Sequence, residues 1–175
     1  KITDYLIQQK VIGLFQGRME FGPRALGNRS IIADPRNSEM QRKMNLKIKY
    51  RESFRPFAPV IMLDKVSEWY NFKKDSPYML LTAEIANDKK LNLSEIEKNY
   101  TGLDKLKIPR STIPAVTHVD FSSRLQTVTE KSNFFLYKIL KEFDNLTKCP
   151  ILINTSFNIR GEPIVFSPYD ALKCF

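Results

Sequence analysis

Histidine and cysteine are nearly missing from this sequence, which holds one of the first and two of the second, His118, Cys149 and Cys174. None of the three stands at metal-ligand spacing, so a structural zinc site within this segment is excluded, and so sparse a use of cysteine points to a reducing cytoplasm. Long apolar runs are missing too, which excludes a membrane-spanning chain. Acid is in short supply: 19 Asp and Glu face 28 Lys and Arg, for a formal charge of +9. That sign favours anionic partners, whether nucleotides, nucleic acid or an anionic surface. A hydrophobic content of 42% and a charged content of 27% are those of a soluble globular protein, and 175 residues fit one domain. A starting methionine is also absent, and the chain opens on helix-like KITDYLIQQK and stops at DALKCF in mid-helix. A piece of a longer protein is expected.

What is present is concentrated between Gly17 and Pro59. GRMEFGPRALGNRS is followed by DPR and by KYRESFRPFAP, so Arg18, Arg24, Arg29, Arg36, Lys49, Arg51 and Arg55 lie among Gly, Pro, Ala and Phe. A cation set among apolar residues has lost part of its hydration and needs an anion to offset the loss. The candidates are internal carboxylates or a bound polyanion, and the arginine fork, which donates two parallel hydrogen bonds, suits phosphate. Gly17, Gly22 and Gly27, with Pro23 fixing one turn, would let the loop approach a ligand closely. The alternative is a tight structural loop, and the interleaved arginines argue against it.

Around this stretch the pattern alternates short helices and strands. Helices are predicted at 2–9, 38–46 (with Ser38 and Gln41 as a capping box), 65–72 and 133–146, and a further helix begins at Ser167 and Pro168. Strands are predicted at 11–15, 30–33, 60–63, 78–86, 115–119, 125–128 and 150–153. Trp69 reads as core. Residues 87–112 are polar and aperiodic, either a lid or a surface insertion, with the insertion favoured. The expected fold is α/β, one three-layered domain with a twisted mixed sheet.

Further candidates lie downstream. Lys49 and Arg51 are two apart and would face the same way in extended chain, with Arg55 following across a bend. Arg124 and Gln126 would share a strand face as donors, unless they simply face solvent on an edge strand. Asn154, Thr155, Ser156 and Asn158 put polar groups at the carboxyl end of a strand, where ligands sit in open α/β sheets. Ser156 is otherwise a turn former. His118 is either a general base or phosphate ligand, or a hydrogen-bonded structural residue.

Taken together, GRMEFGPRALGNRS, DPR, KYRESFRPFAP, THVDFSSRLQTV and NTSFNIRGEP resemble the C-terminal domain of the bacterial O-carbamoyltransferases of nodulation-factor and antibiotic biosynthesis, over nearly the whole chain. The resemblance implies a YrdC-like α/β domain joined in cis to an N-terminal, actin-like, metal-binding domain. It implies formation of carbamoyl adenylate from carbamoyl phosphate and ATP, with Mg2+ held through phosphates, and passage of the carbamoyl group to an acceptor hydroxyl in the other domain. By motif it assigns anion binding to Arg24, Arg29, Lys49, Arg55, Arg124 and Ser156, with Arg51 beside them and His118, Asn154 and Asn158 as further ligand contacts. The chain departs from the family pattern at Phe121 and Ser122, where Gly and Thr are expected. The rival readings are an RNA- or DNA-binding module, whose cations would spread along a face, and a non-catalytic docking domain.

Overall fold

A computed structural model describes residues 1–175. In chain order the elements are α1 (Ile2–Ile7), β1 (Ile12–Phe15), β2 (Arg29–Ala33), α2 (Ser38–Lys47), β3 (Ala58–Met62), α3 (Val66–Trp69), β4 (Leu81–Glu84), α4 (Glu95–Lys98), β5 (Ser122–Val128), α5 (Phe134–Thr147), β6 (Ile151–Ser156) and α6 (Pro168–Cys174). The strands form one mixed sheet in the order β1-β2-β6-β3-β5-β4. All its pairings are antiparallel except β3 with β5. No helix is long and apolar enough to cross a membrane.

Register sorts the side chains between two faces. Because partnered residues share a face, Ile32, Asn154, Ala58 and Val60, Leu152, Gln126 fall on one side of the sheet, and Ile31, Thr155 with Ala33, Ile153, Pro59 on the other. The first face carries the β1–β2 loop and the start of α5, since Gln126 and Asn154 bond the loop's carbonyls and a Cβ on Gly27 would strike Leu136. The second carries the end of α2 and α6, where Ile31 shares a cavity wall with Ile48 and Cys174. Helices thus cover both faces, and the α/β, three-layer expectation holds. A single core of 32 buried residues runs through the layers, with Trp69 in it as expected.

Helix α5 shows how the sequence sets these positions. Leu136, Ile139, Leu140 and Phe143 recur at three- and four-residue spacing and are all buried. Asn133 caps the helix by accepting the Leu136 N–H at 3.1 Å, and its amide also reaches Asn28 at 3.2 Å, tying helix to loop. Replacing Asn133 with alanine is expected to cost about 1–2 kcal/mol, read as a lowered urea midpoint with unchanged slope.

Several local expectations are corrected. The N-cap of α2 is Asn37, not Ser38, because the Asn37 side chain accepts the Glu39 N–H. The strand expected at 78–86 is only Leu81–Glu84, preceded by Met79 in the left-handed region at φ 57°. Residues predicted as a strand at 115–119 begin instead with a 3-10 turn, Pro114–Val116, whose Ala115 N–H bonds Pro35 O rather than a strand neighbour. A buried apolar run reads alike for either state. Phe121, where the family pattern calls for glycine, does adopt φ 62°, and the turn is held by Asp120 Oδ1, which accepts both the N–H and the hydroxyl of Ser122. Residues 87–112 contain α4, two 3-10 turns and a bridge between Lys90 and Ser111.

Candidate functional site: two adjoining cation-lined cavities

The β1–β2 loop is fastened from within and from below. Glu20 Oε1 accepts the backbone N–H of Leu26 at 2.9 Å and of Asn28 at 2.6 Å, and Gly27 N–H donates to Ser30 Oγ at 2.9 Å. From the sheet, Gln126 Nε2 donates to Leu26 O at 2.8 Å, and Asn154 Nδ2 donates to Ala25 O at 3.1 Å and to Gln126 Oε1 at 2.5 Å. The anchored loop carries the exposed Arg24. Arg29, on the same motif, turns the other way. Its guanidinium donates to Gln16 O at 2.7 Å and Asn28 O at 2.9 Å and stacks 3.6 Å over the Phe15 ring, so it stitches the base of the loop.

Beneath Arg24 lies a cavity of about 140 Å3 lined by Arg24, Arg51, Arg124, Met79, Asn154 and Ser156, among others, and by no carboxylate. Arg124 comes from β5, and its nearest polar contact is Met79 Sδ at 3.9 Å. Its Nε and the Asn154 Oδ1 are buried without a hydrogen-bond partner. Burial pushes the Arg124 pKa down, and Arg24 pushes it in the same direction. Native interiors pair such groups, so an acid-free cavity with an unpaired donor and acceptor fits a bound polar anion.

A second cavity, of about 300 Å3, shares Arg51 and Ser156 with the first and adds Lys49, Arg55, Asn158 and Arg160, with Glu52 and Glu162 at its wall. Lys49 is buried, and its Nζ donates to Ser156 O, to Asn158 O at 2.9 Å and to Asn158 Oδ1 at 2.8 Å. Burial first, and Arg51 second, push its pKa down to about 8. Arg51 donates from Nε to the buried Asn45 Oδ1 at 2.6 Å and lies 4.8 Å from the Phe57 ring centre. Desolvation and then Arg55 hold its pKa below the usual guanidinium value. Arg55 is exposed and pairs with Glu52 at 2.9 Å.

Lys49 and Arg51 do reach one site, but not through the extended chain expected of them. The Lys49 N–H bonds Met44 O, Tyr50 sits at φ 46°, and the Arg51 N–H bonds Asn45 O, so the segment is a tight reversal leaving α2. Arg24, Lys49, Arg51, Arg55, Arg124, Asn154, Ser156 and Asn158 line the two cavities. Arg29 and His118 do not. His118 lines a neighbouring cleft that meets the arginine cavity at Pro56, and its pKa is lowered mainly by desolvation. Sequence reasoning passed over Glu20, Asn45 and Arg160. Glu20 and Arg160 stand inside the quoted motifs, whereas nothing near Asn45 in the sequence signals its bonds to Arg51 and to the carbonyls of Ser53 and Arg55.

Comparison with known proteins bears on the same residues. The family described as "Carbamoyltransferase C-terminus" matches residues 3–175. An uncharacterized protein of Synechocystis sp. is 54% identical over 175 residues, covering all of this chain and 28% of that protein. Nodulation protein NolO of Bradyrhizobium diazoefficiens is 41% identical over 99% of this chain and 28% of its own length, and nodulation protein U of Sinorhizobium fredii is 34% identical over 99% of this chain and 27% of its own. The chain therefore spans a little over a quarter of these relatives' length.

Proposed function

The chain belongs to the carbamoyltransferase C-terminus family, and on that premise we propose that its two adjoining cavities bind carbamoyl phosphate and ATP and form carbamoyl adenylate. The observation that carries this reading is the inner cavity: three arginines, no carboxylate, and two buried polar atoms without a partner. In the proposed reaction carbamoyl phosphate is first cleaved by water to carbamate and inorganic phosphate. A carbamate oxygen then bonds to the α-phosphorus of ATP as the bond from that phosphorus to its bridging oxygen breaks, and pyrophosphate departs.

Negative charge gathers on phosphoryl oxygens in such a step, and fixed cations in a water-poor cavity stabilise it without reorganising. Arg24, Arg51 and Arg124 would face that charge directly. Lys49 and Ser156 shape the boundary between the cavities, and Arg55 and Arg160 attract anions at the outer one. Magnesium would come bound to the phosphates, needs few protein ligands of its own, and would neutralise charge on the departing pyrophosphate. Both substrates are anions of the cytoplasm. The clustering of cations in cavities, rather than along a face, supports a nucleotide over a nucleic acid.

Acceptor binding and transfer would belong to an actin-like domain in cis, N-terminal to this one and carrying the metal. Calorimetry of the chain with ATP and with carbamoyl phosphate tests binding. Incubating it with ATP, magnesium, carbamoyl phosphate and hydroxylated acceptors tests the division of labour, with pyrophosphate but no carbamoylated acceptor as the expected result. Carbamoylated acceptor in the products would refute that division, and absence of both binding and pyrophosphate would refute adenylate formation here.

A further inference from the structure

The arginine cavities account for phosphates and leave the rest of a nucleotide without a place. Two flanks adjoin them. One is an apolar hollow of about 190 Å3, reached past Ile159 and walled by Val11, Gly13, Ile31, Ile48 and Phe157. A nucleobase set among such groups would leave its ring nitrogens and amino group without hydrogen bonds, at a cost of several kcal/mol in a fully apolar setting, roughly 2–7 per group. The other flank meets the inner arginine cavity at Pro56. It is a cleft of two contiguous hollows, about 250 and 290 Å3, which have Ser38, Gln41, Phe54, Leu106, Lys107 and Pro109 in common.

That cleft has the mixed lining a nucleoside needs. Phe54, Leu106 and Ile108 offer apolar surface, while Ser38, Gln41, Thr117 and His118 carry neutral hydrogen-bonding groups. The cations at its wall are already engaged. Arg110 is buried and donates to Ile108 O at 2.9 Å and to Lys105 O, so it braces the wall, and Lys107 pairs with Asp104 at 2.7 Å. His118, by contrast, hydrogen-bonds within the protein through its main chain, to Ser122 and Phe121, and leaves its imidazole free for a ligand. Desolvation keeps that imidazole neutral near pH 7, with one donor and one acceptor nitrogen.

We propose that the cleft between residues 103–119 and the α2–β3 connection holds the adenosine part of ATP while the triphosphate lies in the arginine cavities. The assignment rests on the ATP reading above and gives residues 87–112 a function, as one wall of a nucleoside site. Its recognition comes from flat apolar contact by Phe54 and Leu106 and from neutral polar groups at the rim, the composition general to small-ligand pockets.

The test compares MgATP with inorganic tripolyphosphate, which has the anion and lacks the nucleoside. Calorimetry on the whole chain should show ATP binding at least tenfold tighter than tripolyphosphate. Phe54→Ala and Leu106→Trp, one removing a contact and one filling the cleft at a half-buried position, should bring ATP to the level of tripolyphosphate and leave tripolyphosphate itself unchanged. Thermal melts confirm that both variants fold. Separately, 2-azido-ATP should photolabel peptides within 103–119 or 53–56. Unchanged ATP affinity in both folded variants, or labelling confined to other segments, overturns the proposal. Failure of tripolyphosphate to bind the wild-type chain counts against the arginine cavities as the phosphate site, and the azido label reports on the cleft independently of that outcome.

Discussion

Arg124→Ala is expected to lower pyrophosphate release by about 10²- to 10³-fold, a loss of roughly 3–4 kcal/mol of transition-state stabilisation, while leaving the fold as stable as before or more so. The two halves of that expectation have one cause. Arg124 has no carboxylate partner, keeps its Nε buried and unbonded, and lies near enough to Arg24 for the two to repel. A cation so placed is a burden on the empty protein. Its removal therefore relieves the fold and deprives the developing phosphate charge of a donor, a trade of stability for activity common at functional sites. Arg124→Lys should recover part of the rate, because an ammonium restores charge without the two-pronged donor. Steady-state pyrophosphate release and a urea midpoint, measured on the same preparations, decide the matter. A variant that is destabilised and fully active would show Arg124 to be structural.

Lys49→Met should damage both fold and reaction. The Lys49 ammonium satisfies the carbonyls of Ser156 and Asn158, so its loss leaves buried acceptors unpaired and costs about 3 kcal/mol in stability. It also frees the turn that sets Ser156 between the two cavities. Wild-type behaviour with pH separates the two contributions. The Lys49 pKa falls from 10.5 to about 8 on folding, so between those values the unfolded chain holds the proton more tightly and stability from this group rises with pH. Affinity for tripolyphosphate moves the opposite way and declines as pH rises through 8, because the ammonium that favours an anion is being lost. The wild-type urea midpoint, measured relative to that of Lys49→Met, should climb from pH 8 to 10 while anion affinity falls. A flat difference would mean that the oxygen cage keeps Lys49 charged throughout.

These expectations draw unevenly on what could be read before any coordinates. The amphipathic stripe of α5 and the start of α6 at Ser167 and Pro168 were legible because helix periodicity and capping are local. Strand β6 was legible only in its apolar half. Its extension through Asn154 to Ser156 depends on pairing with β2, 120 or so residues earlier, which no local pattern encodes. The 3-10 turn at Pro114–Val116 was read as strand for the same reason in reverse, since burial supplied the apolar residues without a ladder to use them.

The sequence alone determined the family, the α/β class and the presence of an anion site, because each rests on residues close together in the chain: five motifs, alternating short elements, and cations among glycines and prolines. Tertiary structure decided which cations serve the site. Arg24 and Arg29 share one motif, yet Arg24 faces the cavity and Arg29 is taken up by the Gln16 and Asn28 carbonyls and the Phe15 ring. Arg124 joins Arg51 because β5 lies parallel to β3 across the sheet. His118 falls in the next cleft because the 3-10 turn, and not a strand, delivers it. A guanidinium points toward whichever oxygens the fold brings within about 3 Å of it, and those oxygens come from segments whose proximity is set by strand order and not by sequence distance.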